Sequence, residues 1–117
     1  MLRLWHATRN SWNGLVAASR SEHAFRKELA VFALAVPLAY IVALDIWRWV
    51  VLLAVLLLIL IVELLNTAVE KLSDHVTPQP HPAIGRIKDM ASAAVGLSLL
   101  LAALVWLVAL AERLAML

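Results

Sequence analysis

Three long apolar stretches dominate the pattern of the chain. They are residues 29–44, 49–62 and 91–111, and none of them contains a charged side chain. A transmembrane helix needs about 20 predominantly apolar residues, so the third stretch is long enough alone and the other two must include interfacial residues at their ends. The pattern predicts an all-α membrane protein whose transmembrane helices cover about 29–45, 47–72 and 88–112.

The N-terminal segment has a different, amphipathic pattern. One third of its helical circumference is mainly apolar, and the opposite side is polar and basic. The first group comprises Leu4, Trp5, Thr8, Trp12, Leu15 and Val16, and the second comprises Arg3, His6, Arg9, Asn10, Asn13 and Arg20. Tryptophans on one face and arginines on the other favour a helix that lies in the membrane surface, covering about 2–27. A helix packed on a soluble core is the weaker alternative, because little of the chain is polar enough to form such a core.

The basic residues predict the orientation in the membrane. Eight of the ten lie before the first span or between the second and third: Arg3, Arg9, Arg20, Arg26, Lys27, Lys71, Arg86 and Lys88. The positive-inside rule makes that side cytoplasmic. We therefore expect a multi-pass protein of a bacterial cytoplasmic (inner) membrane, with its N-terminus inside and its C-terminus outside.

Composition supports this class and excludes others. Of the 117 residues 64% are apolar and 15% are charged, so the chain is predicted to form a single membrane domain, 1–117. A net charge of +2 is too small to indicate a nucleic-acid partner. Because cysteine is absent, a metal would have to bind through oxygen or imidazole ligands.

A polar stripe interrupts the apolar pattern at the end of the second span. Glu63, Asn66, Thr67, Glu70 and Asp74 fall within about a third of a turn on a helix. From Glu63 to Glu70 the stripe extends about 10 Å at 1.5 Å per residue, from the membrane edge towards the cytoplasm. Glu63 could be an acid tolerated near the end of a span, but its place at the head of an aligned set favours a function.

The chemistry of the stripe suits phosphoryl transfer to a lipid. An acid at headgroup depth could take a proton from a lipid hydroxyl, and carboxylates further out could hold a hard cation. The chain's glycines, Gly14, Gly85 and Gly96, cannot build a known phosphate-binding loop, so such a kinase would be unconventional. Two alternatives from other classes are a small proton or ion channel and a structural or regulatory membrane subunit.

Three segments resemble a known family in order and spacing. They are SWNGLVAASRSEHAFRKE at 11–28, VELLNTAVEKLSD at 62–74 and GRIKDMASAAV at 85–95. Together they are similar to the prokaryotic diacylglycerol kinases, which are small integral-membrane enzymes. The resemblance implies a homotrimer of subunits, each with a surface helix and three transmembrane helices, and active sites shared between neighbours. It also implies transfer of the ATP γ-phosphate to the primary hydroxyl of diacylglycerol, with Mg²⁺ required.

The same resemblance implies roles for individual residues. Glu63 would be the general base and Asn66 its supporting partner, while Glu22 and Glu70 would bind the metal and the ATP phosphates. Further nucleotide contacts would be Arg3, His81, Lys88 and Asp89. The residues implied at the lipid substrate, besides Glu63, are Ser11, Trp12, Arg26, Glu28 and Ser92. Undecaprenol, a long polyprenyl alcohol, is the alternative lipid substrate, because some members of the family phosphorylate it.

Overall fold

The computed structural model describes residues 2–117, and these residues form helices without any β-strand. The helices are α1 (Leu2–Ser21), α2 (His23–Val42), α3 (Ile46–Val76) and α4 (Pro82–Ala115). The all-α prediction is therefore confirmed. By length and composition, α3 and α4 are able to cross a membrane.

Glu22 separates the first two helices. Its φ of −111° and ψ of 107° are extended, so α1 ends at Ser21 and α2 begins at His23. The predicted surface helix, 2–27, is thus divided, and its last residues belong to the helix that contains the first predicted span. One extended residue is enough to change the direction of the chain, because it interrupts the helical hydrogen-bond ladder.

Side-chain caps begin the two long helices. Asp45 accepts a hydrogen bond from the backbone N–H of Arg48 at 2.8 Å at the start of α3. The Nδ1 atom of His81 accepts from the backbone N–H of Ala83 at 3.1 Å, just before α4. Each cap satisfies a backbone donor that has no partner within the first turn of its helix. His81, expected at the nucleotide, is therefore also the N-cap residue of α4.

Small residues let α2, α3 and α4 approach one another closely. One buried cluster consists of Ala39, Val42, Ala43, Leu52 and Ala109, and a second consists of Val55, Ile59 and Ala102. Close backbone approach is how helices pack in lipid, where burial of apolar surface gives little driving force. The bundle therefore has a narrow core.

Two tryptophan indoles hydrogen-bond across helices. Trp49 on α3 donates from Nε1 to the carbonyl of Val36 on α2 at 3.0 Å. Trp106 on α4 donates from Nε1 to the carbonyl of Leu52 on α3 at 3.2 Å. A half-buried indole N–H is costly without an acceptor, so these bonds fix how the helices are rotated against each other.

Arginine side chains join the helix ends opposite the polar stripe. Arg48 binds Glu112 through two hydrogen bonds of 2.9 Å each and also pairs with Asp45 at 2.8 Å. Arg113 donates to the carbonyl of Ile41 from Nε at 2.9 Å and from Nη2 at 2.7 Å. In the sequence, Arg48 and Arg113 only help to predict the orientation of the chain in the membrane. No local pattern predicts these contacts between helices.

Candidate active site

The polar stripe lies on one continuous helix, as predicted. Glu63, Asn66 and Thr67 are half-buried on α3, and Glu70 is exposed one turn beyond them. Asn66 donates from Nδ2 to Oε1 of Glu70 at 3.4 Å, while its own Oδ1 is buried without a hydrogen-bond partner. The inner end of the stripe is thus sheltered and its outer end reaches solvent.

The beginning of α2 adds two acids to the stripe. Glu22 and Glu70 both lie close enough to Glu63 for their negative charges to act on it, and Glu63 acts in the same way on Glu28. Glu28 is half-buried, and its Oε2 atom has no hydrogen-bond partner. We call Glu22, Glu28, Glu63 and Glu70 the carboxylate cluster.

Only tertiary packing could gather these four acids. Glu63 and Glu70 share a helix face, so the sequence alone brings them together. Glu22 and Glu28 reach them because α2 packs along α3. In the sequence, Glu22 and Glu28 lie before the first apolar stretch, so no helical period relates them to the stripe on the second span.

Two lysines lie near this end of the bundle and bind different acids. Lys71 has its Nζ atom 3.2 Å from Oε1 of Glu22. Lys88 forms an ion pair of 2.6 Å with Asp74. Lys88 and Asp74 also line a cleft of about 610 Å³ beside the proline-rich loop 77–81. Lys88, for which the family resemblance implies a nucleotide contact, therefore faces an open, partly polar cleft.

The N-terminal helix forms a second opening beside the stripe. A groove of about 530 Å³ lies between α1 and α3, with Ser11 on one side and Thr67 and Lys71 on the other. The hydroxyl of Ser11 donates to the carbonyl of Ala7 at 2.9 Å within α1. The lining of the groove is mainly apolar, so the groove suits a hydrophobic molecule.

Several predicted site residues are not joined to the carboxylate cluster within one chain. Arg26 contacts His23 instead, with its Nη2 atom 2.9 Å from Nδ1. Across residues 2–117, no hydrogen bond or ion pair links the cluster to the remaining candidates, which are Arg3, Ser11, Trp12, His81, Lys88, Asp89 and Ser92. A single chain thus brings the four acids together but does not join these other candidates to them.

Comparison with known proteins decides the family. The model of the family described as "Prokaryotic diacylglycerol kinase" matches residues 9–110. The chain belongs to this family. The match includes α2, α3 and all four acids of the carboxylate cluster.

Curated members of the prokaryotic diacylglycerol kinase family are similar over nearly their full length. A diacylglycerol kinase of Escherichia coli K12 is 39% identical over 104 residues, which are 89% of this chain and 85% of the relative. One from Pseudomonas aeruginosa is 38% identical over the same shares of both chains. One from Haemophilus influenzae is 32% identical over 106 residues, 91% of this chain and 90% of the relative.

The donor set of this family member fits a hard divalent cation. The cluster offers carboxylate oxygens, and one of them, Oε2 of Glu28, is buried without a hydrogen-bond partner. The neighbouring Oδ1 atom of Asn66 is also buried without a partner. In the part of the chain that the structure describes, no three His, Cys, Asp or Glu side chains converge on one point. Mg²⁺ usually binds through one or two carboxylates together with substrate phosphates, so a complete protein cage is not needed.

Proposed function

We propose that this chain is a diacylglycerol kinase, which transfers the γ-phosphate of MgATP to the primary hydroxyl of diacylglycerol and forms phosphatidic acid. The carboxylate cluster carries the proposal, because it lies where the most apolar helix reaches its polar end. A reaction between a lipid alcohol and a water-soluble nucleotide requires such a boundary. Membership of the family and the names of the relatives support the same activity.

Glu63 would act as the general base. Its carboxylate would accept the proton of the lipid hydroxyl while the bond from the hydroxyl oxygen to the γ-phosphorus forms and the bond to ADP breaks. Glu63 is half-buried at the inner end of the stripe, which would be the end nearest to lipid in the proposed topology. General bases in this role typically contribute about 10²–10⁴-fold to the rate.

Glu22 and Glu70 would hold Mg²⁺, which neutralises charge on the phosphate oxygens when it is bound. Both carboxylates act electrostatically on Glu63, so a cation between them would also lie near the reacting groups. Asn66 would orient Glu70 through its 3.4 Å hydrogen bond. Oxygen ligands and a charged phosphate are the partners that Mg²⁺ prefers.

The nucleotide would bind on the cytoplasmic side of the cluster. Lys88 could exchange its exposed partner Asp74 for a phosphate group at little cost, since an ion pair in solvent contributes little. We assign the other nucleotide contacts to Arg3, His81 and Asp89. The cleft beside Lys88 has room for the base or ribose.

Diacylglycerol would approach through the groove between α1 and α3. Ser11 lines this groove and Trp12 lies next to it on α1, with 66% of its surface exposed. We assign Arg26, Glu28 and Ser92 to the same substrate. An acyl chain would contact the apolar lining while the glycerol hydroxyl reaches Glu63.

The proposed topology has α1 in the cytoplasmic membrane surface and α2, α3 and α4 across the bacterial inner membrane. The excess of basic residues on one side supports a cytoplasmic N-terminus and an external C-terminus. The apolar side chains Leu65, Leu97, Leu107 and Val108 are largely exposed on α3 and α4. Such surfaces are suited to lipid or to neighbouring subunits.

We further propose a homotrimer with active sites shared between subunits. Within residues 2–117, Asp89 and Ser92 on α4 make no hydrogen bond or ion pair to the carboxylate cluster. A neighbouring α4 packed against the exposed apolar faces would supply them. This arrangement would explain why residues of one site lie apart in a single subunit.

Phosphorylation of defined lipids tests the activity. The purified protein in mixed micelles would receive labelled MgATP and either diacylglycerol or undecaprenol. We expect label in phosphatidic acid. Label in the polyprenyl alcohol alone would instead assign the alternative substrate, and no labelled lipid with either would overturn the kinase activity and favour a channel or a structural subunit.

A further inference from the structure

Lys71 is the cation that the structure places on the carboxylate cluster. Its Nζ atom lies 3.2 Å from Oε1 of Glu22 and donates to Oγ of Ser21 at 3.4 Å. Within residues 2–117, the other ion pairs of lysine and arginine side chains involve Asp45, Asp74 and Glu112, which lie outside the cluster. Among residues 2–117, Lys71 is therefore the only side chain that forms an ion pair with one of these four acids.

The position of Lys71 follows from the packing of α2 on α3. Lys71 directly follows Glu70 and so points about 100° away from it around the helix. That direction leads to the junction of α1 and α2, where Glu22 is the N-cap residue of the second helix. In the sequence Lys71 is only a marker of orientation, because its partner lies far away along the chain.

The charge at the cluster explains why a counter-ion is needed. Glu22 and Glu70 each act on Glu63 as like charges, and Glu63 acts in the same way on Glu28. Like charges held together destabilise the folded state unless a cation or a proton compensates them. A lysine suits this task because its ammonium is a compact charge on a flexible stem.

The pair between Lys71 and Glu22 is also easily broken. The side chain of Lys71 is 58% exposed and that of Glu22 is 33% exposed. Ion pairs with this much solvent contribute little to stability, and a divalent cation repels an ammonium on the same carboxylate. Binding of a metal at Glu22 would therefore displace Lys71 without a large cost.

We propose that Lys71 is a positioning residue that holds the Glu22 carboxylate in the nucleotide-free protein and leaves it when the metal binds. The inference rests on the proposed role of Glu22 as a metal ligand. Lys71 thus keeps Glu22 in place and competes with the metal for it.

Binding of Mn²⁺ alone to the nucleotide-free protein tests this competition. Free Mn²⁺ is measured by electron paramagnetic resonance during titration of the wild type and of Lys71→Met. We expect Lys71→Met to bind Mn²⁺ more tightly by up to about fivefold, which corresponds to the loss of one exposed ion pair. The Mg²⁺ concentration for half-maximal activity should fall by a similar factor.

Matched variants separate the ion pair from a general change of charge. Lys27→Met removes a cation from the same side of the protein but from a position without a partner in the cluster, so it should bind Mn²⁺ like the wild type. Lys71→Arg keeps the charge and should restore the wild-type affinity. Equal affinity for the wild type and Lys71→Met, or no measurable Mn²⁺ binding by either, would overturn the proposal.

Glu22→Gln distinguishes this inference from the proposed metal site. If Glu22→Gln leaves Mn²⁺ binding unchanged, Glu22 is not a metal ligand and both proposals fail. If Glu22→Gln weakens Mn²⁺ binding but Lys71→Met changes nothing, the metal site stands and the role of Lys71 fails.

A measurement on the unaltered protein provides a second check. An amine-acylating reagent should modify Lys71 faster after Mn²⁺ is added, because the displaced amine is freer to react. Lys27 in the same sample is the internal reference and should not change. An unchanged ratio of Lys71 to Lys27 modification would contradict displacement.

Discussion

The side-chain amide of Asn66 donates a hydrogen bond to the carboxylate of Glu70, with 3.4 Å between Nδ2 and Oε1. The two residues are one helical turn apart on α3, and Asn66 is the more buried of them. A half-buried amide that donates to a more exposed carboxylate favours one direction of the carboxylate oxygens. This hydrogen bond links the half-buried and the exposed parts of the polar stripe.

Replacing Asn66 tests that link. Asn66→Ala removes the donor to Glu70, so we expect the Mg²⁺ requirement to rise or activity to fall by about 10–100-fold, as is usual for residues that orient a metal ligand. Kinase assays over a range of Mg²⁺ concentrations measure the change. Asn66→Asp places another negative charge beside Glu70 and should not restore the wild-type Mg²⁺ requirement. Full activity of Asn66→Ala at the wild-type Mg²⁺ concentration would show that Asn66 has no role in the site.

Replacing Glu63 tests the general base. Glu63→Gln keeps the shape of the side chain but cannot accept the proton, so we expect kcat to fall by at least about 10²-fold. ATP binding and the oligomeric state should be retained. The matched control is Glu112→Gln, which removes an acid at the opposite end of the bundle and should leave kcat near that of the wild type. Comparable activity of the two variants would refute the assignment.

Variants of Lys88 and Asp74 distinguish two roles of the lysine, which are binding of phosphate and attachment of α4 to α3. If Lys88 binds phosphate, Lys88→Met should raise the KM for ATP by roughly tenfold or more, consistent with about 1.5–3 kcal/mol for a hydrogen bond to a charged group. Asp74→Asn should leave that KM unchanged or lower it, because Asp74 competes for the same ammonium. Equal increases in both variants would mean that the pair is needed only to hold α3 and α4 together. Steady-state kinetics with varied MgATP gives the answer.

Replacing Arg113 is expected to lower the stability of the protein without changing kcat. Its guanidinium binds the Ile41 carbonyl near the end of α2, where helical carbonyls lack partners. Arg113→Ala should lower the free energy of unfolding by about 1 kcal/mol, since the contact is half-exposed. Thermal unfolding in detergent measures the loss, and kcat at low temperature should be unchanged. Arg113→Lys, which retains one donor group, should lie between the two.

Much of the architecture follows from local patterns in the sequence. Uninterrupted apolar residues indicate the long helices α3 and α4, and prolines after Val76 prevent α3 from continuing. The amphipathic N-terminus indicates α1. The break at Glu22 was not predicted, because neither glycine nor proline marks it and one extended residue leaves no pattern.

The sequence by itself determined the stripe, because residues on one helix face are related by the period of the helix alone. That period is enough to place Glu63, Asn66 and Glu70 together. Only the tertiary structure decided that Glu22 and Glu28 join them and that Lys71 pairs with Glu22. Those contacts depend on how α2 lies against α3, which is set by small packing residues and by indole hydrogen bonds between helices. Periodicity describes one helix at a time, whereas a site built from two helices requires their relative position.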